Sequence, residues 1–136
     1  MTAILSIPLA PVRRDAQTAD FFDGTARGEF LLREKIGTGQ LLAPQTAVPD
    51  DADYRWTPAS GRGRIISWTT VYGRNAEGTV VPQHILAVVE LDEGPWWWTR
   101  LVVEDREPVT GASVHAEFHK SGDADEYEYV PVFVLD

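Results

Sequence analysis

The alternation of apolar and polar residues in the second half of the chain predicts a series of short β-strands. It is plainest where Val114, Ala116 and Phe118 alternate with polar residues. Comparable runs rich in Val, Ile, Thr and Trp are separated by turns that contain glycine, proline or acidic residues. Five short strands with turns between them are typical of a small barrel, so the fold is predicted to be mainly β over residues 60–136. The predicted strands cover residues 62–72, 83–92, 96–103, 112–119 and 127–134.

The first residues combine an apolar terminal segment with a short helical pattern. Residues 1–15 carry aliphatic side chains interrupted by prolines, which predicts either a frayed terminus or an arm that docks on a partner. Residues 18–32 contain apolar positions at roughly helical spacing, so this segment is predicted to be partly helical. We therefore assign residues 1–32 to an N-terminal arm and helix. The aromatic residues of the helical pattern are Phe21, Phe22 and Phe30.

Glycine and proline limit regular structure in the first half of the chain. Gly24 and Gly28 each weaken the predicted helix by about 1 kcal/mol relative to alanine. Because they are four residues apart, they either share one helix face that lets another backbone approach closely, or mark two successive helix breaks. Residues 33–59 contain several further glycines and prolines, which predict an irregular segment without long helices or strands.

Composition and charge exclude several classes of protein. The 136 residues include 12 basic and 21 acidic side chains, which gives a net charge of −9 and disfavours binding to a phosphate backbone. Cysteine is absent, so disulfides and thiolate metal sites are excluded. No segment approaches the roughly 20 apolar residues of a membrane span. Arg13 and Arg14 follow the apolar start, the reverse of a secretory signal, so we expect a cytoplasmic protein.

The titratable residues do not form a recognisable catalytic pattern. Ser67 lies within a predicted strand and lacks the glycine-flanked turn of a nucleophile, and His84 lies on a strand of its own. His115 and His119 are four residues apart on a predicted strand, hence about 13 Å apart, too far to share one metal ion. We therefore predict no catalytic residue and no metal site.

Three consecutive tryptophans offer a different kind of chemistry. On a strand, Trp96 and Trp98 point to one side and Trp97 to the other. One side can belong to the core, while the other is exposed or covered by a partner or ligand. On another predicted strand, Arg62 and Arg64 share one face, where they either bind phosphate groups or pair with the abundant carboxylates.

Several short segments, in this order and spacing, resemble the DUF35 family. The resemblance implies an OB-fold barrel of five strands, preceded by an N-terminal helix and a rubredoxin-like zinc ribbon. It covers about residues 20–134, although no single motif decides it. The matching segments are Phe21-Phe22-Asp23-Gly24, Leu42-Ala43-Pro44-Gln45, Ser60-Gly61-Arg62-Gly63, Ser67-Trp68-Thr69, Val89-Glu90-Leu91-Asp92-Glu93-Gly94 and Pro131-Val132-Phe133.

The sequence departs from the family in its ribbon segment. A zinc ribbon needs two Cys-x-x-Cys knuckles, which would fall near residues 35–39 and 48–51, where this chain has no cysteine. We therefore predict a degenerate, metal-free ribbon-like segment over residues 33–59. Packing is expected to replace the metal there, through Leu41, Leu42, Val48, Tyr54 and Trp56.

The resemblance implies a non-catalytic accessory subunit of an acyl-CoA-processing assembly. Its partner would be a thiolase-like protein or a MaoC-like hot-dog hydratase, and the pair would form a hetero-oligomer. The chain would help to form the partner's acyl-CoA site, in steroid side-chain aldol cleavage, thiolysis or acyl transfer. No cofactor of its own is expected, the acyl-CoA being a ligand of the complex. The expected partner interface is Phe21, Phe22, Phe30 and Trp97, and the candidates for the CoA phosphates are Arg62 and Arg64.

Three other functions remain open on the sequence alone. A stand-alone binding protein for acyl-CoA or another small ligand would use the same arginines without a partner. A single-strand nucleic-acid binder would use exposed aromatic residues on an OB fold, but the net charge disfavours it. An independent enzyme would need a catalytic group that the residue pattern does not reveal.

Overall fold

The computed structural model describes residues 9–49 and 53–136, which contain one helix and eight strands. No helix in these two ranges is long and apolar enough to cross a membrane. The elements are α1 (Ala19–Ala26), β1 (Leu31–Lys35), β2 (Leu41–Leu42), β3 (Tyr54–Pro58), β4 (Arg62–Arg74), β5 (Val80–Leu91), β6 (Trp96–Val102), β7 (Ser113–Lys120) and β8 (Tyr129–Leu135).

The last five strands close into a barrel in the order β4-β5-β6-β8-β7. All neighbouring strands are antiparallel except β6 and β8, which run parallel over a short contact. Alternate residues of β5 fill the interior, because Ile85, Ala87, Val89 and Leu91 are almost completely buried. The predicted mainly β fold of OB type is confirmed, and its five strands lie within three residues of the predicted bounds.

A β-bulge in β4 sets which side chains of that strand point inward. The register with β5 shifts between Ile65 and Ser67, so one residue of β4 has no partner. Ile65 is buried on one side of the bulge, and Trp68 packs against the core on the other side. The bulge thereby turns Ser67 and Thr69 to the outside of the barrel.

A second, smaller sheet lies before the barrel, in the order β2-β1-β3. Its strands are short and antiparallel, and the turn between β1 and β2 contains Gly37 and Gly39, both with positive φ. The segment over residues 33–59, expected to be irregular, thus contains short strands. The prediction that it holds no long element agrees with these strands of two to five residues, which glycine and proline bound.

The helix is shorter than the sequence pattern predicted, because it ends before Gly28. That residue has φ of 80°, and its N–H donates to the Thr25 carbonyl while the Glu29 N–H donates to the Gly24 carbonyl. These two hydrogen bonds form a Schellman motif, which requires the left-handed conformation that glycine adopts freely. The two glycines therefore divide the predicted alternatives: Gly28 lies at a helix break, whereas Gly24 lies within the helix and packs closely against the side chain of Leu31.

The described part of the N-terminal arm packs against its own chain. Val12 donates to the Ser121 hydroxyl at 3.0 Å and accepts from the Glu128 N–H at 2.8 Å. Arg14 bonds both carboxylate oxygens of Glu128 and also pairs with Asp23 at 2.7 Å. Hydrogen bonds from Arg14 lower the pKa of Glu128 below its ordinary value. The arm's first eight residues lie outside the described ranges, so its predicted docking on a partner stays a prediction.

An aromatic cluster connects the helix, the small sheet and the barrel. Phe30 is 1 % exposed and makes edge-to-face contacts with Phe21, Trp97 and Phe133. Phe21 also contacts Trp56 of β3, with ring centroids 6.2 Å apart. Each such pair contributes roughly 0.5–1.5 kcal/mol beyond the area that it buries. The cluster therefore joins the helix, the small sheet and the barrel by packing.

Truncation of the central ring tests this role. Phe30→Ala should lower the free energy of unfolding by about 3–5 kcal/mol, because it leaves a cavity where three structural units meet. Urea denaturation followed by circular dichroism measures the change. Tyr72→Ala, which removes an aromatic side chain from a residue that is 62 % exposed, is the control and should cost less than 1 kcal/mol. Equal losses in the two variants would contradict the central position of Phe30.

Candidate interaction surface

The outer face of β5 and β6 carries two exposed tryptophans, one of which is the most exposed large apolar side chain of the described residues. Trp98 is 71 % exposed and Trp96 is 53 % exposed. Cross-strand pairing places Val88 opposite Trp98, and Leu86, itself 36 % exposed, lies two residues further along β5. Val88 itself is buried, so we define the tryptophan face by the exposed residues Leu86, Trp96 and Trp98.

The alternation of β6 explains why these two indoles are outside. Thr99 and Leu101 are buried in the barrel, and Trp97 shares their side of the strand. Trp96 and Trp98 therefore share the outer side with Arg100. The sequence carried this signal, since a charged residue at the next alternate position favours the outward side.

Polar groups surround the tryptophan face. The Trp96 indole N–H donates to the Glu90 carboxylate at 3.3 Å. Arg64 lies opposite Glu90 in the backbone register of β4 and β5. Further along β4, the exposed Ser67 and Thr69 belong to the same outer surface. An apolar centre with a polar rim is the usual composition of a protein interaction surface.

His84 and Arg100 lie at one end of this outer surface and are both partly buried. Burial lowers the pKa of His84, and the positive charge of Arg100 lowers it further. The His84 Nδ1 atom is shielded from solvent and has no hydrogen-bond partner within the described ranges. The imidazole is therefore neutral at neutral pH, and it does not act as a cationic partner for a ligand.

The structure corrects the predicted partner interface. Phe21, Phe22 and Phe30 are 6 %, 9 % and 1 % exposed, so their rings belong to the chain's own core. Trp97 is partly buried and packs on Phe21 and Phe30, with ring centroids 5.8 and 5.2 Å away. Side chains buried in this way are not available to a second protein. The three tryptophans do divide between two sides of the strand, as predicted. The prediction assigned Trp97 to the partner, whereas Trp96 and Trp98 are the exposed ones.

The two predicted phosphate ligands lie side by side on the outer face of β4. Arg62 and Arg64 are both exposed. Arg62 lies 3.6 Å from a carboxylate oxygen of Asp136, whereas Arg64 forms no ion pair with any other described residue. Within the described residues, one of the two guanidinium groups thus lies near a carboxylate, and the other is exposed without an ion pair.

The remaining histidines are bound to carboxylates rather than arranged around a metal ion. His115 Nδ1 lies 2.6 Å from Asp136, and His119 Nε2 lies 3.0 Å from Glu117. No group of three or more histidine, aspartate or glutamate residues within 9–49 and 53–136 is arranged to hold a metal.

The ribbon-like segment does not fit zinc. The first expected knuckle coincides with the turn that follows β1, where Lys35 and Thr38 offer no soft ligand. Of the second expected knuckle, only Val48 and Pro49 lie within the described residues. Trp56 packs against the core and carries the Arg33 guanidinium 4.2 Å above its ring, so packing and a cation–π contact hold this sheet.

Two cavities lie away from the tryptophan face. One has a volume of about 300 Å³ at the barrel mouth and is lined by residues that include Trp68, Tyr72 and Pro108. The other is an open groove of about 650 Å³ between the start of α1 and residues 44–49, next to Arg33 and Trp56. The first has the size of a small-ligand site, while the second is more open.

Comparisons with known proteins agree with this description. Residues 56–119 match the family model described as the C-terminal OB-fold domain of ChsH2. No curated protein matches the chain significantly. A chain of the solved Ltp2-ChsH2(DUF35) aldolase superposes with a TM-score of 0.70 at 21% identity, over 90% of this chain and 96% of that one. A DUF35 protein of unknown function from Sulfolobus solfataricus superposes with a TM-score of 0.59 at 12% identity, over 89% of this chain and 86% of that one. The likeness to these structures shows the fold.

The environment of His84 can be tested by titration. Its imidazole should titrate below the ordinary value of 6.5, as followed by NMR of the ring protons. Because the unfolded chain binds the proton more readily, this histidine lowers stability as the pH falls below 6.5. Arg100→Gln should raise the His84 pKa part of the way, while Arg100→Lys, which keeps the charge, should raise it less. An ordinary or raised pKa in the unaltered protein would contradict the burial of this side chain.

Proposed function

We propose that this chain is an OB-fold protein of DUF35 type and serves as a non-catalytic accessory subunit of an aldolase complex that acts on acyl-CoA. The observation that carries the proposal is the agreement with a chain of the Ltp2-ChsH2(DUF35) aldolase over nearly the whole length of both chains. A chain that matches the aldolase chain over nearly its whole length is suited to the same position in an aldolase complex. The partner in this proposal is a thiolase-like protein that cleaves a carbon–carbon bond of a CoA thioester, with steroid side chains as one substrate class.

The distribution of titratable groups supports a division of labour in such a complex. His115 and His119 are bound to neighbouring carboxylates, and the Nδ1 atom of the partly buried His84 has no hydrogen-bond partner among the described residues. A retro-aldol reaction needs a base for the hydroxyl proton and a group that stabilises the enolate that forms. In the proposal the partner supplies both groups. This chain closes one side of the acyl-CoA site and excludes water from it.

The outer face of β4 is the proposed contact with the CoA end of the substrate. Arg64 is exposed and forms no ion pair with another described residue, so its guanidinium can bind a phosphate through two N–H donors. Arg62 lies beside it and would need to leave Asp136 to take part. The acyl chain would extend from there into the partner.

A second candidate function is a free-standing carrier of a small ligand. The cavity at the barrel mouth favours it, because about 300 Å³ lined partly by aromatic side chains lies at the lower end of the range for ligand sites. This function predicts that the isolated chain binds an acyl-CoA without any partner.

Co-purification tests the proposed assembly. The tagged chain, recovered from its native host at moderate salt, should bring down a thiolase-like protein in a fixed ratio. Mass spectrometry identifies the partner, and sedimentation velocity of the mixture measures the ratio. A chain recovered alone that binds an acyl-CoA in calorimetry would contradict the accessory role and favour the carrier.

Charge reversal tests the proposed CoA contact. In the purified complex, Arg64→Glu should weaken binding of CoA about tenfold, because a charge-assisted hydrogen bond contributes roughly 1.5–3 kcal/mol. Arg74→Glu is the matched control, since it reverses an exposed arginine near the other end of β4 and should leave binding unchanged. Isothermal titration of each complex with CoA gives the affinities. Equal affinities in both variants would remove Arg64 from the site.

A further inference from the structure

We infer that the tryptophan face is the surface on which a partner protein docks, with the Trp98 indole as its anchor. The inference rests on the proposed function and gives that assembly a location. It replaces the buried phenylalanines and Trp97, which the chain uses for its own core.

The exposed area of the face is large enough to matter energetically. If a tryptophan offers about 250 Å² in full, the exposed fractions of Trp96 and Trp98 leave roughly 300 Å² of indole in solvent. This falls in the size range of the largest apolar patch on a typical monomer, and such patches are often functional. Tryptophan is also enriched among the few residues that dominate binding energy. The face thus has the area and composition of an interface centre.

The shape of the face favours a protein over a small molecule. Trp96 and Trp98 project from the outside of a barrel, and neither described cavity includes them. Small ligands bind in concave sites that cover most of their surface. A protein can instead offer a pocket that encloses the projecting Trp98 ring, while Ser67, Thr69 and Glu90 provide a polar rim.

The charge of this chain indicates what kind of protein fits. Around β6 the carboxylates outnumber the two arginines of the outer surface, Arg64 and Arg100. The flanking carboxylates are Asp92, Glu93, Glu104 and Asp105. Two copies of a chain with a net charge of −9 repel each other, which disfavours a homodimer through this face. The occupant is therefore a different protein, with an apolar pocket for the indole and lysine or arginine residues around it.

The test uses the full chain and the purified thiolase-like subunit that co-purifies with it. Trp98→Ala should weaken their association about 30-fold, as the loss of a hot-spot side chain does. Tyr72→Ala, which truncates another highly exposed aromatic residue outside the face, should bind like the unaltered chain. Biolayer interferometry gives the affinities, and a thermal melt shows that both variants are folded. Association of the unaltered chain should also slow as salt rises, because the charges attract.

A second measurement on the unaltered protein makes the result independent of any mutant. Hydroxyl-radical labelling should oxidise Trp96 and Trp98 in the free chain and spare them in the complex. Protection together with weaker binding of Trp98→Ala supports the inference. A complex that leaves both indoles reactive, or binds Trp98→Ala normally, overturns the docking surface but leaves the accessory role intact. Self-association of the chain through this face would overturn the docking surface. Failure of the chain to bind any thiolase-like subunit would overturn both the docking surface and the accessory role.

Discussion

The packing around Phe30 is the interaction on which the rest of the structure depends. Its ring contacts Phe21 of α1, Trp97 of β6 and Phe133 of β8, and Phe21 in turn contacts Trp56 of the small sheet. Three structural units are thus fixed by one aromatic cluster. In a zinc ribbon, a metal with four soft ligands holds the two knuckles together, and this chain has none of the required cysteines. Aromatic packing holds the small sheet to the barrel.

The same cluster determines which residues the surface offers. Because Trp97 is drawn inward against Phe30, strand geometry turns Trp96 and Trp98 outward together. The core and the candidate interface are therefore two sides of one strand. A change of one residue in the register of β6 would exchange them, which ties the proposed docking surface to the integrity of the aromatic core.

The sequence predicted the barrel well because alternating strands such as Ser113–Lys120 bury one side whatever lies around them. It failed where the outcome depended on contacts distant in the chain. Propensity gave no reason to expect a sheet over residues 31–58, since its short strands are stabilised by pairing with one another and by Trp56 on the core. The alternation of the tryptophans was predictable, and the charge of Arg100 indicated that its side of the strand, with Trp96 and Trp98, faces outward. The assignment of Trp97 to a partner did not take this charge into account.

The central claim is that this chain assists catalysis by another protein. The most direct measurement is the rate of carbon–carbon cleavage of a CoA thioester by the thiolase-like subunit, alone and with increasing amounts of this chain. We expect cleavage to rise with added chain, to reach a plateau at the ratio found in the complex, and to be absent with the chain alone. Cleavage by this chain alone, or a rate of the other subunit that its addition does not change, would contradict the accessory role.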